Sequence, residues 1–122
     1  HVSITVSVVL TFAAVSHVNS QSASATATAS TTETVIDTWS ATTYSSAKYL
    51  IQMKKNFDIE IVELLATVDG NNNVYLTIYG DVISNTSLGS VTADYSSGNF
   101  RLLITAAAAA TAVKVHRTLI KA

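Results

Sequence analysis

The chain reads as an all-β protein, an antiparallel β-sandwich or small barrel carrying an extended N-terminal strand or arm. Three observations lead there. Apolar and polar residues alternate with period two in a succession of short segments after residue 33, the spacing at which a strand turns one face to a core. Clusters of Gly, Asn, Asp and Ser separate these segments at intervals typical of sandwiches and barrels. Finally, 48% hydrophobic against 12% charged residues supplies a core and argues against disorder.

Taken in order, residues 1–18 suggest one long strand or two short ones, because Val2, Ile4, Val6 and Val8 alternate with Ser3, Thr5 and Ser7. The run Val8-Val9-Leu10-Thr11-Phe12-Ala13-Ala14-Val15 imitates the core of a signal peptide. No basic stretch precedes it, and it is too short to span a bilayer, so a strand or arm is the expected form. Residues 19–32 are a Ser/Ala/Thr tract without a large side chain. Such a tract offers little apolar area to offset the entropy of ordering, so it is expected as a flexible linker or as a strand laid on another subunit. Residues 1–32 are therefore assigned to an N-terminal strand and arm, and residues 33–122 to the sandwich module.

Within the module, residues 35–40 give a first strand. Ala47, Tyr49, Ile51 and Met53 oppose Lys48, Gln52 and Lys54; Val74, Leu76 and Ile78 oppose Tyr75, Thr77 and Tyr79. Val91, Ala93 and Tyr95 alternate with Thr92 and Asp94, Phe100, Leu102 and Ile104 with Arg101 and Thr105, and Val113 and Val115 with Lys114, His116 and Thr118. Turns are expected at Asp69-Gly70-Asn71-Asn72-Asn73, Gly80-Asp81, Leu88-Gly89 and Ser96-Ser97-Gly98-Asn99. Phe57, Ile61, Leu64, Leu65 and Val68 have helical spacing, but Ile59, Ile61 and Val62 are β-branched and a turn follows. A strand whose alternation slips near Ile61–Val62, as a bulge allows, is favoured. The alanines at 106–110 are too few for an isolated helix and are expected as a loop or the weak start of a strand.

Composition narrows function. Seven basic residues balance eight acidic ones, which points to neither nucleic acid nor an anionic membrane as partner. A surface this poor in charge suits contact with neighbouring subunits, and the absence of proline and the sparse lysine leave strand edges unguarded. No cysteine is present, so disulfides and thiolate metal sites are excluded.

No group of residues has the spacing of a catalytic or cofactor site, and the chain is expected not to be an enzyme and to need no cofactor or metal. Glu60 and Glu63 would share a face only in a helix. His1, His17 and His116 are too dispersed in sequence for a ligand motif. The segment beginning Asp69-Gly70 resembles the start of a calcium loop but lacks its sixth-position glycine and twelfth-position glutamate, and is expected as a turn. No nucleophile elbow or phosphate loop occurs. Lys114, His116, Arg117 and Lys121 form a mild basic cluster, expected to be solvated or ion-paired between subunits. Asn85-Thr86-Ser87 fits the short acceptor pattern for N-glycosylation. Aromatic residues are the remaining candidates: Trp39, Tyr44, Tyr75, Thr77 and Tyr79 are expected as an interface or as a glycan-stacking platform.

Several segments together carry a resemblance. They are Ile36-Asp37-Thr38-Trp39-Ser40, Tyr44 through Gln52, Glu63-Leu64-Leu65, Asp69-Gly70, Tyr75-Leu76-Thr77-Ile78-Tyr79-Gly80, Leu88-Gly89-Ser90, Gly98 through Leu102, and Val113-Lys114-Val115. In this order they resemble a β-rich module of virion structural proteins from tailed bacteriophages, notably those of marine cyanobacteria. The likeness spans about the last three quarters of the chain and departs at Ser45, where arginine is expected, and at the alanines of 106–110. It implies a multi-copy particle component of the neck, tail, fibre or head decoration, located in the virion after assembly in the host cytoplasm. Its implied partners are further copies and other virion proteins, and it implies no catalytic residues. Two rivals stand beside it: a host-surface glycan-binding module, and a secreted or surface-anchored structural protein.

Overall fold

The computed structural model describes residues 14–122. The first part of the expected N-terminal strand, and most of the apolar run before Val15, lie outside the described residues. Nine strands follow: β1 (Val15–Ser16), β2 (Ser20–Ala29), β3 (Thr34–Ser40), β4 (Tyr44–Lys55), β5 (Asp58–Val68), β6 (Val74–Ile83), β7 (Gly89–Ser96), β8 (Asn99–Ala106) and β9 (Thr111–Lys121). They form two antiparallel sheets, a six-stranded one in the order β1-β2-β9-β4-β5-β6 and a three-stranded one in the order β3-β8-β7. Both sheets are open, so the architecture is a sandwich and not a closed barrel.

The core lies between the sheets and follows the alternation of the sequence. Ala47, Tyr49, Ile51 and Met53 of β4 point inward, as do Val62, Leu64, Ala66 and Val68 of β5 and Val113, Val115 and Leu119 of β9. Phe100, Leu102 and Ile104 of β8 meet them from the small sheet. Burying each of the larger aliphatic and Phe side chains among them contributes about 1.5–3 kcal/mol.

The Ser/Ala/Thr tract is where the structure departs most from the sequence reading. Residues 20–29, expected as arm or linker, are a full strand of the protein's own large sheet, paired with β9 from Ser20↔Ile120 to Ala29↔Thr111. Ala23, Ala25, Ala27 and Ala29 are buried while Ser24, Thr26 and Thr28 face solvent. Each methyl contributes little, but the hydrogen-bonded ladder to a strand at the sheet's centre supplies the order that side-chain area alone does not.

Phe57 lies in the turn before β5, the rest of the segment is strand from Asp58 to Val68, and its alternation does not slip. Glu60, Val62, Leu64, Ala66 and Val68 all face inward. Its helical appearance arises because Glu60 occupies a core position and Leu65 an exposed one. The bulge lies next door in β6, where Glu63 pairs with Gly80 and Leu64 with Ile78, leaving Tyr79 as the extra residue. Gly80-Asp81, expected as a turn, is thus inside a strand. A second bulge, at Ile36 in β3, shifts the phase so that Ile36 and Asp37 are both buried. A third displaces Ser45 at the start of β4.

The turns have local causes. Asn56 (φ 56°) closes the β4–β5 hairpin, and Ser97 (φ 51°) with Gly98 (φ 87°) closes β7–β8 in left-handed backbone. Gly89 opens β7 against β8, where an added Cβ would sit 2.9 Å from the Thr105 carbonyl oxygen and 3.2 Å from Met53 Sδ.

Candidate interaction surface

The small sheet covers one face of the large sheet, and the other face is open. Strand register sets out that outer face in rows. Thr118, Lys48, Leu65 and Thr77 form one row, and Ile120, Ser46, Thr67 and Tyr75 the next. Together they line a concavity of about 660 Å³. Leu65, Ile120 and Tyr75 are about half exposed there, and Lys48 brings the charge. A second hollow of about 400 Å³ lies along the same face between Leu50, Gln52, Ile61, Lys114 and His116. Lys48 Nζ and Glu63 Oε2 stand 3.7 Å apart, an exposed pair worth little.

At the edge of this face lies β6. From Gly70 through Gly80 the sequence has no charged residue, and Asp81 alone is charged in the strand. Tyr75, Ile78, Tyr79, Val82 and Ile83 are all exposed. The turn before β6 fixes Tyr75: the Asn71 and Asn73 amides donate to Asp69 Oδ1 at 2.9 and 3.0 Å, and the Tyr75 hydroxyl donates to Asp69 Oδ2 at 3.2 Å. The two amides hold the Asp69 carboxyl below its ordinary range, and that carboxylate in turn raises the Tyr75 phenol. The calcium-like segment is therefore a turn whose aspartate oxygens already accept hydrogen bonds from the turn and from β6. Partial burial and the neighbouring Glu63 raise the Tyr79 phenol as well.

The five aromatic and threonine candidates are not brought together. Tyr75, Thr77 and Tyr79 lie on β6 as exposed residues. Trp39 is buried, stacked on Phe100 with ring centroids 4.4 Å apart, and Tyr44 meets its edge at 6.4 Å. The bulge in β3 shifts the alternation that carries Trp39 into the core, and short-range spacing did not reveal it.

The basic cluster also divides. Lys114 and His116 are on the outer face, where His116 Nδ1 lies 3.1 Å from Ser24 Oγ, but Arg117 points into the core. There Arg117 Nη1 donates to Asp37 Oδ1, and Nη2 donates to Gln21 Oε1 at 3.2 Å. The Tyr49 hydroxyl donates to Asp37 Oδ2 at 2.6 Å and accepts from Trp39 Nε1–H at 3.0 Å. Burial, then the Asp37 carboxylate, pushes the Tyr49 phenol well above its ordinary value. This network joins β3 of the small sheet to β4 and β9 of the large one. It is largely buried, and through Gln21 it also reaches β2. Position 117 shares the face of Val113 and Val115, so alternation alone could have placed it inward.

One further polar cluster lies at the other end of the core. Glu60 is buried, and its Oε1 accepts from the Leu88 amide at 2.7 Å and from Ser87 Oγ at 3.1 Å. Burial, followed by the neighbouring Asp81, raises its carboxyl above the ordinary glutamate value. Glu63 is on the opposite face, so the two glutamates do not form a pair. Asn85, Thr86 and Ser87 are exposed between β6 and β7.

Fold and surface together define a class: an antiparallel β-sandwich whose large sheet leaves one mixed polar and apolar face open and ends in an edge strand, β6, with exposed apolar side chains. No family model matches the chain, and no curated protein matches it in sequence. Among solved structures it is similar to the tailspike protein of Acinetobacter baumannii phage AM24, with a TM-score of 0.48 and 8% identity. The match covers 84% of this chain and 26% of that one, so the chain spans about a quarter of that protein's length.

Proposed function

We propose that this chain is a structural module of a tailed-bacteriophage virion, present in many copies in the neck, tail, fibre or head decoration, and that it works through subunit contacts without catalytic turnover. The observation that carries the subunit-contact part is the exposed apolar margin of β5 and β6. Leu65, Tyr75, Ile78, Tyr79, Val82 and Ile83 crowd one side of a small domain. Large exposed apolar patches on soluble domains mark contact surfaces. The assignment to a phage particle rests on the sequence resemblance described above. Mass spectrometry of gradient-purified particles tests it: peptides of this chain recovered in many copies per particle support the reading, and their confinement to the host lysate overturns it.

Tyr75 and Tyr79, about half exposed, favour a second reading in which the module binds host-surface glycan by ring stacking. On a glycan array this requires a defined sugar signal that Tyr75→Ala or Tyr79→Ala abolishes.

A further inference from the structure

We infer that β6 is a homotypic pairing edge, which joins the large sheets of two copies across a two-fold axis beside Leu76. The inference rests on the subunit-contact reading and names the partner and the register. An outermost strand offers a row of main-chain donors and acceptors to any strand that can lie beside it. Natural edges are commonly guarded by lysine, proline, a bulge, inward charge or short length. In β6 the guards lie beyond Ile78, in the bulge at Tyr79 and in Asp81, which pairs with inward-facing Val62; from Val74 to Ile78 the edge has no bulge, charge or proline. The strand that pairs with it must tolerate apolar side chains on both faces. β6 itself has that character, and two-fold pairing of one patch with its own copy is the commonest closed arrangement.

Register follows from the faces. In an antiparallel pair, residues directly opposite share a face. Val74, Leu76 and Ile78 pair with Val68, Ala66 and Leu64 on the core face, while Tyr75 and Thr77 pair with Thr67 and Leu65 on the outer face. Beyond Ile78 the bulge at Tyr79 reverses the phase. A two-fold axis at Leu76 sets Leu76 against its own copy, Val74 against Ile78, and Tyr75 against Thr77, so every pair keeps its face. An axis at Thr77 would set Val74 against Gly80 and mix faces, and one at Tyr75 would run into the turn before β6. The Leu76 register keeps Asp81 outside the ladder, so no like charges meet. It adds an aromatic–β-branched pair on each side, a favourable cross-strand combination. It also continues the outer concavity, which Tyr75 and Thr77 help to line, from one copy to the next.

Sedimentation equilibrium of the full chain over a concentration series tests the pairing. Two double variants at the exposed outer-face positions read the register: Y75K/T77K sets lysine against lysine twice, whereas Y75E/T77K sets glutamate against lysine twice. Expected is a reversible wild-type dimer, weakened at least about tenfold by Y75K/T77K and regained with Y75E/T77K. Circular dichroism melting of each variant establishes that the fold persists. A self-association that Y75K/T77K leaves untouched, or that Y75E/T77K fails to restore, overturns the β6 pairing while the subunit-contact reading stands. A wild-type chain that remains monomeric throughout overturns the pairing, and particle mass spectrometry then decides the virion reading separately. Association only with a different virion protein, with no self-association, likewise overturns it.

Discussion

Replacing Arg117 by methionine should destabilise the sandwich more than almost any other single change. The substitution keeps an aliphatic stem of similar reach in the core but removes the guanidinium from Asp37, whose side chain is 2% exposed. Asp37 would then remain buried with the Tyr49 hydroxyl still donating to it. Removing one partner of a buried ion pair costs about 3–5 kcal/mol. Against a total stability of about 5–15 kcal/mol for a domain, that is a large fraction. For a chain of this size the loss corresponds to a fall in Tm of roughly 10–20 °C. The reporter is already in place: Trp39 is the single tryptophan, it is buried, and it bonds to the same network, so its fluorescence follows urea unfolding directly. The double variant D37N/R117M removes both charges and should recover part of the loss, with a coupling of about 1–3 kcal/mol. An R117M midpoint within about 1 kcal/mol of wild type, or single-variant losses that simply add in the double variant, would refute the role given to this ion pair.

Glu60 should make stability fall with rising pH. Its carboxyl lies above the ordinary glutamate value when folded. Between those two values the unfolded chain gives up its proton first, so unfolding is favoured as pH rises through that window. Glu60→Gln can still accept from the Leu88 amide and should flatten the slope; urea midpoints across a pH series check this, and an unchanged slope contradicts it. Gly89→Ala should cost about 1–3 kcal/mol, because the new methyl meets the Thr105 carbonyl and Met53; thermal melts measure the loss. Phe57, fully exposed at the tip of the β4–β5 hairpin, should change stability by no more than about 0.5 kcal/mol on replacement by serine. A larger loss in a urea titration would mean that the ring packs somewhere.

How far the residues foretold the structure depends on where local pattern and tertiary context agree. Strand β4 was legible because Ala47, Tyr49, Ile51 and Met53 recur at every second position, with Leu50 the one apolar residue on the opposite face. Strand β5 was ambiguous because Glu60 takes an inward position and its hydrogen-bonding partners, Ser87 and Leu88, are remote in sequence. Strand β2 was missed as part of the protein's own sheet because alanine methyls carry almost no hydrophobic signal, and its partner β9 comes at the other end of the module. Arg117 was grouped with exposed bases by residue type, although period two sets it beside Val113 and Val115. Trp39 went to the wrong environment in the reading because the bulge at Ile36 is invisible to spacing. On β6, Tyr75, Thr77 and Tyr79 are exposed; the concavity beside them joins the consecutive strands β4, β5 and β6 to β9, which is distant in sequence and which local pattern cannot bring alongside.

The position of β9 has a consequence for biosynthesis. It is flanked by β2 on one side and β4 on the other, so neither neighbour can complete its ladder until residues 111–121 have been made. At usual elongation rates that leaves β2 waiting on the order of 5–20 s after its own synthesis. During that interval a nascent chain would expose both flanks of the gap that β9 later fills. Ribosome-bound intermediates should therefore be protease-sensitive until β9 emerges, after which the sheet zips shut from its middle.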